Sequence, residues 1–308
     1  MSLVSLDVTA EERAGGTLAA AKVKTAVEAL ERDGVVALRN AIELEHVDAL
    51  AAKMLADADA FDAGAHGPIQ NSWQGLLPPP RHPFLFRDIA FNEQCIAVLR
   101  ALMGEDIVLT GYGANTAFSV PEPTVQHAHI DHGEPQPPGP CQMVAVQAIL
   151  LDTDEENGAT EYWPGSHLDA GQSVLTDRSV SEELLASWPR GSGRFACPRG
   201  SLLLRDMKMW HRGMPNTTSV HRPMPTLIVK TERMIADTLL SANQPQPGFA
   251  ADADTREFWL HPQLKAAAWL FPGEVDNLGS QTAHSRPAER DDADKAERLY
   301  VPAGGSRL

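Results

Sequence analysis

Val125-Gln126-His127-Ala128-His129-Ile130-Asp131 alternates polar with apolar residues. Read as a β-strand, whose side chains point to opposite faces in turn, it sets His127, His129 and Asp131 on one side and Ala128 and Ile130 on the other. A histidine and a carboxylate two residues apart on one strand face reach a common metal ion without distorting the backbone. Alone the pattern is weak, because a core histidine satisfied by Asp131 gives the same tripeptide. His127 shares the face and is the rival ligand. It lacks a carboxylate two residues on, where His129 stands instead, so it is read as a contact to the ligands or to a co-substrate.

A further ligand is sought downstream, in Trp210-His211-Arg212-Gly213-Met214-Pro215-Asn216-Thr217-Thr218-Ser219-Val220-His221-Arg222. His211 follows the apolar strand Ser201–Arg205 and ends a strand of its own; Arg222 precedes the apolar run Pro223–Val229. Antiparallel neighbours joined by this polar turn bring His211 and Arg222 close together. Two imidazoles and one carboxylate can hold Fe(II) on one face and leave three positions open. The planar guanidinium of arginine suits a carboxylate, which it binds through parallel charge-assisted hydrogen bonds.

Around these segments, short β-branched or apolar runs alternate with turns: Ile107–Thr110, Met143–Leu151, Thr160–Trp163, Arg194–Ala196, Ser201–Arg205 and Pro225–Val229. Asn157-Gly158 marks one turn. No regular helices intervene, so the expected class is mainly β with flanking helices, a sandwich or jelly roll. Upstream, residues 8–33 read as a helix with Thr9 and Glu12 as its capping pair, followed by a strand at Val35–Leu38. Ile42–Ala56 and Asn92–Met103 read as two more helices. Residues 61–86 are rich in Gly, Pro and His and read as a long loop, with Gln70, Asn71 and Trp73 placed to wall a substrate pocket. Phe118, Met209 and Trp210 are the candidate apolar lining. Residues 255–270 read as helix and 285–298 as a charged tail. The whole is taken as one catalytic domain: helical elements over 8–103, a jelly-roll core over about 106–235 and an extension over 236–308.

Composition narrows the partners. A formal charge of −15 argues against nucleic acid or an anionic membrane surface. The three cysteines have no metal-like or redox-like spacing, as expected in a reducing compartment. No signal peptide and no eighteen-residue apolar run is present, so the expected location is the cytoplasm. Oligomeric state is not legible.

The chain resembles the phytanoyl-CoA dioxygenase family of Fe(II)- and 2-oxoglutarate-dependent oxygenases. The likeness rests on His129-Ile130-Asp131, on Asn157-Gly158 leading to Pro164-Gly165-Ser166-His167, on Gly200-Ser201-Leu202-Leu203-Leu204, and on His211 with Asn216 and Arg222. It spans roughly residues 30 to 235. Membership implies a cupin-like double-stranded β-helix with iron on His129, Asp131 and His211. It also implies the distal carboxylate of 2-oxoglutarate on Arg222, and Thr160, Gln147 and Asn216 as further co-substrate contacts. O₂ and an organic small molecule complete the reactants. Relatives that halogenate carry a small residue where Asp131 stands, so hydroxylation, desaturation or a related oxidation is implied. A hydrophobic metabolite is the favoured substrate; a fatty acyl-CoA is the alternative, with only Arg81 and Arg87 to meet its phosphates. The rival functions are a cupin-like isomerase, which has no need of Arg222, and a non-catalytic family member acting as a binding protein, against which the full set of motif residues argues.

Overall fold

The β-branched runs pair into one large sheet that the helices cover on one side. The computed structural model describes residues 3–62, 72–73, 76–79, 82–131, 140–169, 178–234, 258 and 262–266. Its strands are β1 (Ser5–Asp7), β2 (Val35–Arg39), β3 (Ser72–Trp73), β4 (Ile107–Ala114), β5 (Thr116–Ala117) and β6 (Met143–Ala148), followed by β7 (Glu161–Tyr162), β8 (Gly193–Arg194), β9 (Leu202–Asp206), β10 (His211–Arg212), β11 (Pro225–Thr231) and β12 (Lys265–Ala266). The large sheet has the order β1-β2-β9-β6-β11-β4-β12, a smaller one β10-β7-β8, and β3 pairs with β5. The inner pairs of the large sheet are antiparallel; β1 on β2 and β12 on β4 are parallel.

The helices are α1 (Ala10–Gly15), α2 (Ala20–Asp33), α3 (Leu44–Asp62), α4 (Arg87–Ala90), α5 (Glu93–Met103) and α6 (Glu182–Ser187). The single helix expected over 8–33 is therefore two. Thr9 and Glu12 form the expected capping box, but Gly16 adopts φ 60° and ends α1, its N–H returning to the carbonyls of Arg13 and Glu12. Asn92 caps α5 by accepting the Cys95 N–H, and Gly104 follows the last turn. Of the helix expected over 255–270, Phe258 is helical, but Lys265 and Ala266 leave it and form β12 against Val108 and Leu109. An unpaired edge of β4 takes backbone partners there in preference to a helical turn. The pocket-wall residues Gln70 and Asn71 and the charged tail lie outside the described residues.

Alternation sorts the large sheet into two faces. Val144 and Val146 of β6, Leu202 and Leu204 of β9, and Leu227 and Val229 of β11 share a cluster with Leu30 of α2, Leu50 and Met54 of α3, and Ile96 and Leu99 of α5. Burying each such Leu or Ile contributes about 2 kcal/mol. On the opposite face, Met143 and Ala145 meet Met207 and Ile228. Leu203 there packs with Tyr162 of the small sheet and with Phe195. Two sheets facing each other across such a lumen make the double-stranded β-helix. Gly111 stands opposite Ile228 and Gly113 opposite Thr226, just before a register shift between Ile228 and Val229. A Cβ at position 111 would come within 3.2 Å of Ile228 Cγ1, so glycine there keeps the lumen wall thin.

Candidate metal centre

Residues 125–131 do not form the continuous strand expected of them. Pro121 and Pro123 lack N–H donors on the approach, and ladder pairing begins only near the ligands. The Gln126 N–H donates to Gly213 O, and His129 and His211 then exchange backbone bonds of 2.9 and 3.0 Å. The Asp131 N–H donates to Met207 O at 3.2 Å, tying the segment to the end of β9. His127 is exposed, and its ring lies 6.1 Å from that of His129.

The pairing of His129 with His211 brings the candidate ligands together. One ligand atom from each of His129, Asp131 and His211 lies within 4.8 Å of the others. Asp131 Oδ1 is 3.6 Å from His129 Nε2, and Oδ2 is 3.4 Å from His211 Nε2. Each histidine has Nδ1 against the carbonyl two residues earlier, His129 on His127 O at 3.1 Å and His211 on Met209 O at 3.0 Å. A proton on Nδ1 donates into that carbonyl, which orients the ring and leaves the Nε2 lone pair free for a metal.

Arg205 completes the charge arrangement, and the motif reading missed it. It is 3% exposed and donates through Nη2 to Asp131 Oδ2 at 2.5 Å, with Nη1 3.3 Å from His211 Nδ1. Burial, the largest influence on Asp131, raises its pKa, but the fields of His211 and Arg205 and the bond from His129 outweigh it and hold the carboxyl well below its ordinary range. His211 itself is pushed down to about 3, first by burial and then by Arg205. At neutral pH the imidazole is therefore neutral, and Arg205 is the permanent cation that keeps Asp131 ionised. Neutral histidines and an ionised carboxylate are the forms that bind a metal. The sequence signal for Arg205 is a charged residue ending an apolar strand, in phase with Leu203 on the lumen face.

Arg222 lies farther along the lumen and is 3% exposed. Its Nε donates to Asn157 O at 3.1 Å and Nη2 to Gly158 O at 2.8 Å, while Nη1 sits 3.5 Å from Met224 Sδ. Three of its five N–H donors are thus engaged, and no carboxylate among the described residues pairs with it. Burial, with Arg194 nearby, lowers its pKa to about 10. A carboxylate ligand would compensate this buried cation. Gln147 is buried with Oε1 lacking a partner, and the Thr160 side chain makes no hydrogen bond among the described residues. Both remain available to a ligand. Arg194, also missed, donates through Nε to Ala159 O at 2.6 Å and has Nη2 buried without a partner.

Three other expectations change. Asn216 donates twice through Nδ2, to Ala117 O and Val220 O, and its Oδ1 takes the Thr218 N–H and faces the Thr218 hydroxyl. All its side-chain hydrogen-bonding capacity goes into the turn and to β5, so none is left for a co-substrate. Phe118, Met209 and Trp210 are fully buried in three separate packed clusters and do not line an open cavity. Trp210, next to His211 in sequence, points away from it into a cluster with Trp163 and Ile130. Trp73 pairs through its backbone with Thr116 in the β3–β5 ribbon, a placement that leaves the expectation for its side chain unchanged. Arg87 donates to Phe258 O and stacks near Phe91, so it does not present itself to a phosphate.

Comparison with known proteins supplies the family. A sequence profile of the phytanoyl-CoA dioxygenase family matches residues 30–224, more than half of the 308-residue chain. The dioxygenase af480 of Aspergillus fumigatus is 26% identical over 133 residues, which span 43% of this chain and only 40% of that protein. Among solved structures, the α-ketoglutarate-dependent carbocyclase SnoK from nogalamycin biosynthesis superposes with a TM-score of 0.52 at 16% identity, over 68% of this chain and 83% of its own. AviO1 from Streptomyces viridochromogenes Tue57 gives 0.50 at 19% identity, over 67% and 94%. Identities this low speak for the fold alone, which they share. On its profile match, and with His129, Asp131 and His211 gathered at one point, the chain belongs to the phytanoyl-CoA dioxygenase family of Fe(II)- and 2-oxoglutarate-dependent oxygenases.

Proposed function

We propose that this chain is an Fe(II)- and 2-oxoglutarate-dependent dioxygenase acting in the cytoplasm as one catalytic domain. It oxidises a C–H bond of a hydrophobic small molecule, such as a specialised metabolite, by hydroxylation, desaturation or a related oxidation. The observation that carries this reading is the pairing of a His/Asp/His cluster with a buried Arg222 in the same lumen that no carboxylate among the described residues answers. The donor set fits both groups. His129, Asp131 and His211 would hold the metal, and Arg222, with Gln147 and Thr160, would hold the dicarboxylate. Bound together, iron and 2-oxoglutarate supply O₂ activation coupled to oxidative decarboxylation, which releases succinate and CO₂.

The protein's own part is positional. Carbonyls of His127 and Met209 fix the two imidazoles, Arg205 takes one oxygen of Asp131, and the 157–158 turn fixes the Arg222 plane. Apolar walls from Met143, Ala145, Met207 and Ile228 exclude water from the lumen. The names of SnoK, a carbocyclase, and SnoN, an epimerase, mark outcomes other than hydroxylation that this fold supports.

Anaerobic addition of Fe(II) and 2-oxoglutarate is expected to give a visible charge-transfer band, and admission of O₂ to release succinate. His211→Ala abolishes both. A protein that takes up iron stoichiometrically yet shows no band refutes the reading.

A further inference from the structure

Lys230 is 3% exposed, yet it makes no hydrogen bond or ion pair among the described residues. On β11 it has the parity of Thr226 and Ile228, opposite to Leu227 and Val229, which pack against the helices. Its side chain therefore enters the lumen. Its height there is set by lateral neighbours: Lys230 pairs with Met143, the Met207 N–H donates to Met143 O, and the Asp131 N–H donates to Met207 O. Asp131 and Lys230 thus stand on one rung of the barrel, with two methionines between them.

We propose that Lys230 anchors a carboxylate of the organic substrate, seating an apolar acid against the Met143–Met207 wall beside the metal centre. This rests on the oxygenase reading above and narrows its substrate class. Among the buried cations described in the lumen, Arg205 is answered by Asp131, and Arg222 would be answered by the dicarboxylate co-substrate. Lys230 has no counterpart among the described residues, and a nearly buried cation without one is costly. Burial pushes its pKa down to about 8, with no carboxylate acting to raise it. A single amine on a methionine wall suits one carboxylate on a flexible apolar body, since thioethers adapt to irregular shapes.

The test uses the full chain loaded with Mn(II) and 2-oxoglutarate, which does not turn over. Octanoate, phenylacetate and benzoate are titrated against their own carboxamides and followed by paramagnetic relaxation of the probe protons. At least one acid is expected to bind roughly tenfold more tightly than its amide and to be relaxed by the metal. Lys230→Met is expected to erase that preference, to keep 2-oxoglutarate affinity within about twofold of wild type, and to melt no lower than wild type. The proposal is overturned if no acid is preferred over its amide, or if the preference survives Lys230→Met. It is equally overturned if the variant loses 2-oxoglutarate binding, which would assign the amine to the co-substrate, or if it melts lower, which would assign it a structural partner. Failure of wild type to bind Mn(II) and 2-oxoglutarate strikes the oxygenase reading instead, and the acid–amide comparison on metal-free protein still tests the amine.

Discussion

Replacing Arg205 with methionine removes the permanent cation from Asp131 and keeps most of the side-chain volume. Losing one member of a buried ion pair costs about 3–5 kcal/mol, because the other charge stays desolvated. The Asp131 side chain retains 11% exposure, which argues for the lower end, about 3 kcal/mol. For a chain of 308 residues that is a fall in Tm of roughly 5 °C. The fall is specific to the metal-free protein. A bound divalent ion supplies positive charge to the same carboxylate, so with saturating Mn(II) the deficit shrinks to within about 1 kcal/mol. Removing Arg205 also raises the Asp131 pKa, and a protonated carboxyl is no ligand, so metal affinity is lost at a higher pH on acidification than in wild type. Scanning calorimetry of Arg205→Met in EDTA and in Mn(II) measures both numbers. Adding Asp131→Asn to the variant completes a double-mutant cycle, where a coupling of at least about 2 kcal/mol is expected. Equal losses with and without metal, or a coupling near zero, would refute the role assigned to this pair.

Three other outcomes follow from the same geometry. Arg222→Met should weaken 2-oxoglutarate binding roughly 10- to 150-fold, the worth of a hydrogen bond to a charged group, while Mn(II) affinity is unchanged; calorimetric titration separates the two. Gly158 adopts φ +80°, and a Cβ there would sit 2.6 Å from Met214 O, so Gly158→Ala should cost about 1–3 kcal/mol of stability. Because Gly158 O holds Arg222, the same variant should also lose co-substrate affinity; a melt and a titration like those of wild type would contradict this. Lys230 titrates near 8 in the folded chain against an ordinary 10.5, so the unfolded chain binds more protons between those values. Wild-type stability should therefore rise with pH from about 8 to about 10.5, and Lys230→Met should be more stable at pH 7 by about 3 kcal/mol, a margin that closes above about pH 10.5. Urea denaturation at pH 7 and pH 10.5 reads the margin, and a constant gap would count against a buried ammonium.

The parts of this protein that sequence reveals are those where one local pattern suffices. Period-two alternation located β6, β9 and β11, and Asn92 with Gly104 bounded α5 within a residue. The ligands were legible because His129 and Asp131 keep strand spacing even though only His129 is bridged to its neighbours. His127, read as a contact to the ligands, makes one through its carbonyl, which meets His129 Nδ1. Trp210 and Met209 misled because proximity in sequence to His211 says nothing about which side of the chain they face. Asn216 was sound as a motif member but belongs to the turn, a distinction that needs a count of its hydrogen bonds. Arg205 and Lys230 each end an apolar strand in phase with its lumen face. Whether such a charge faces solvent or a cavity depends on strands distant in sequence, which no local pattern contains.

The thin backbone of the small sheet has a consequence for how the protein acquires its activity. β7, β8 and β10 have two residues each, whereas the ladders of the large sheet run to seven. His129 and His211 hold each other by two main-chain bonds, and a metal shared by their side chains would cross-link the same two segments a second time. The ion is then a staple for the less secure half of the barrel as well as a reagent. Starved of iron, the protein should exchange the amides around His129 and His211 first while β6, β9 and β11 stay protected, so that its vulnerability to proteases tracks the metal supply.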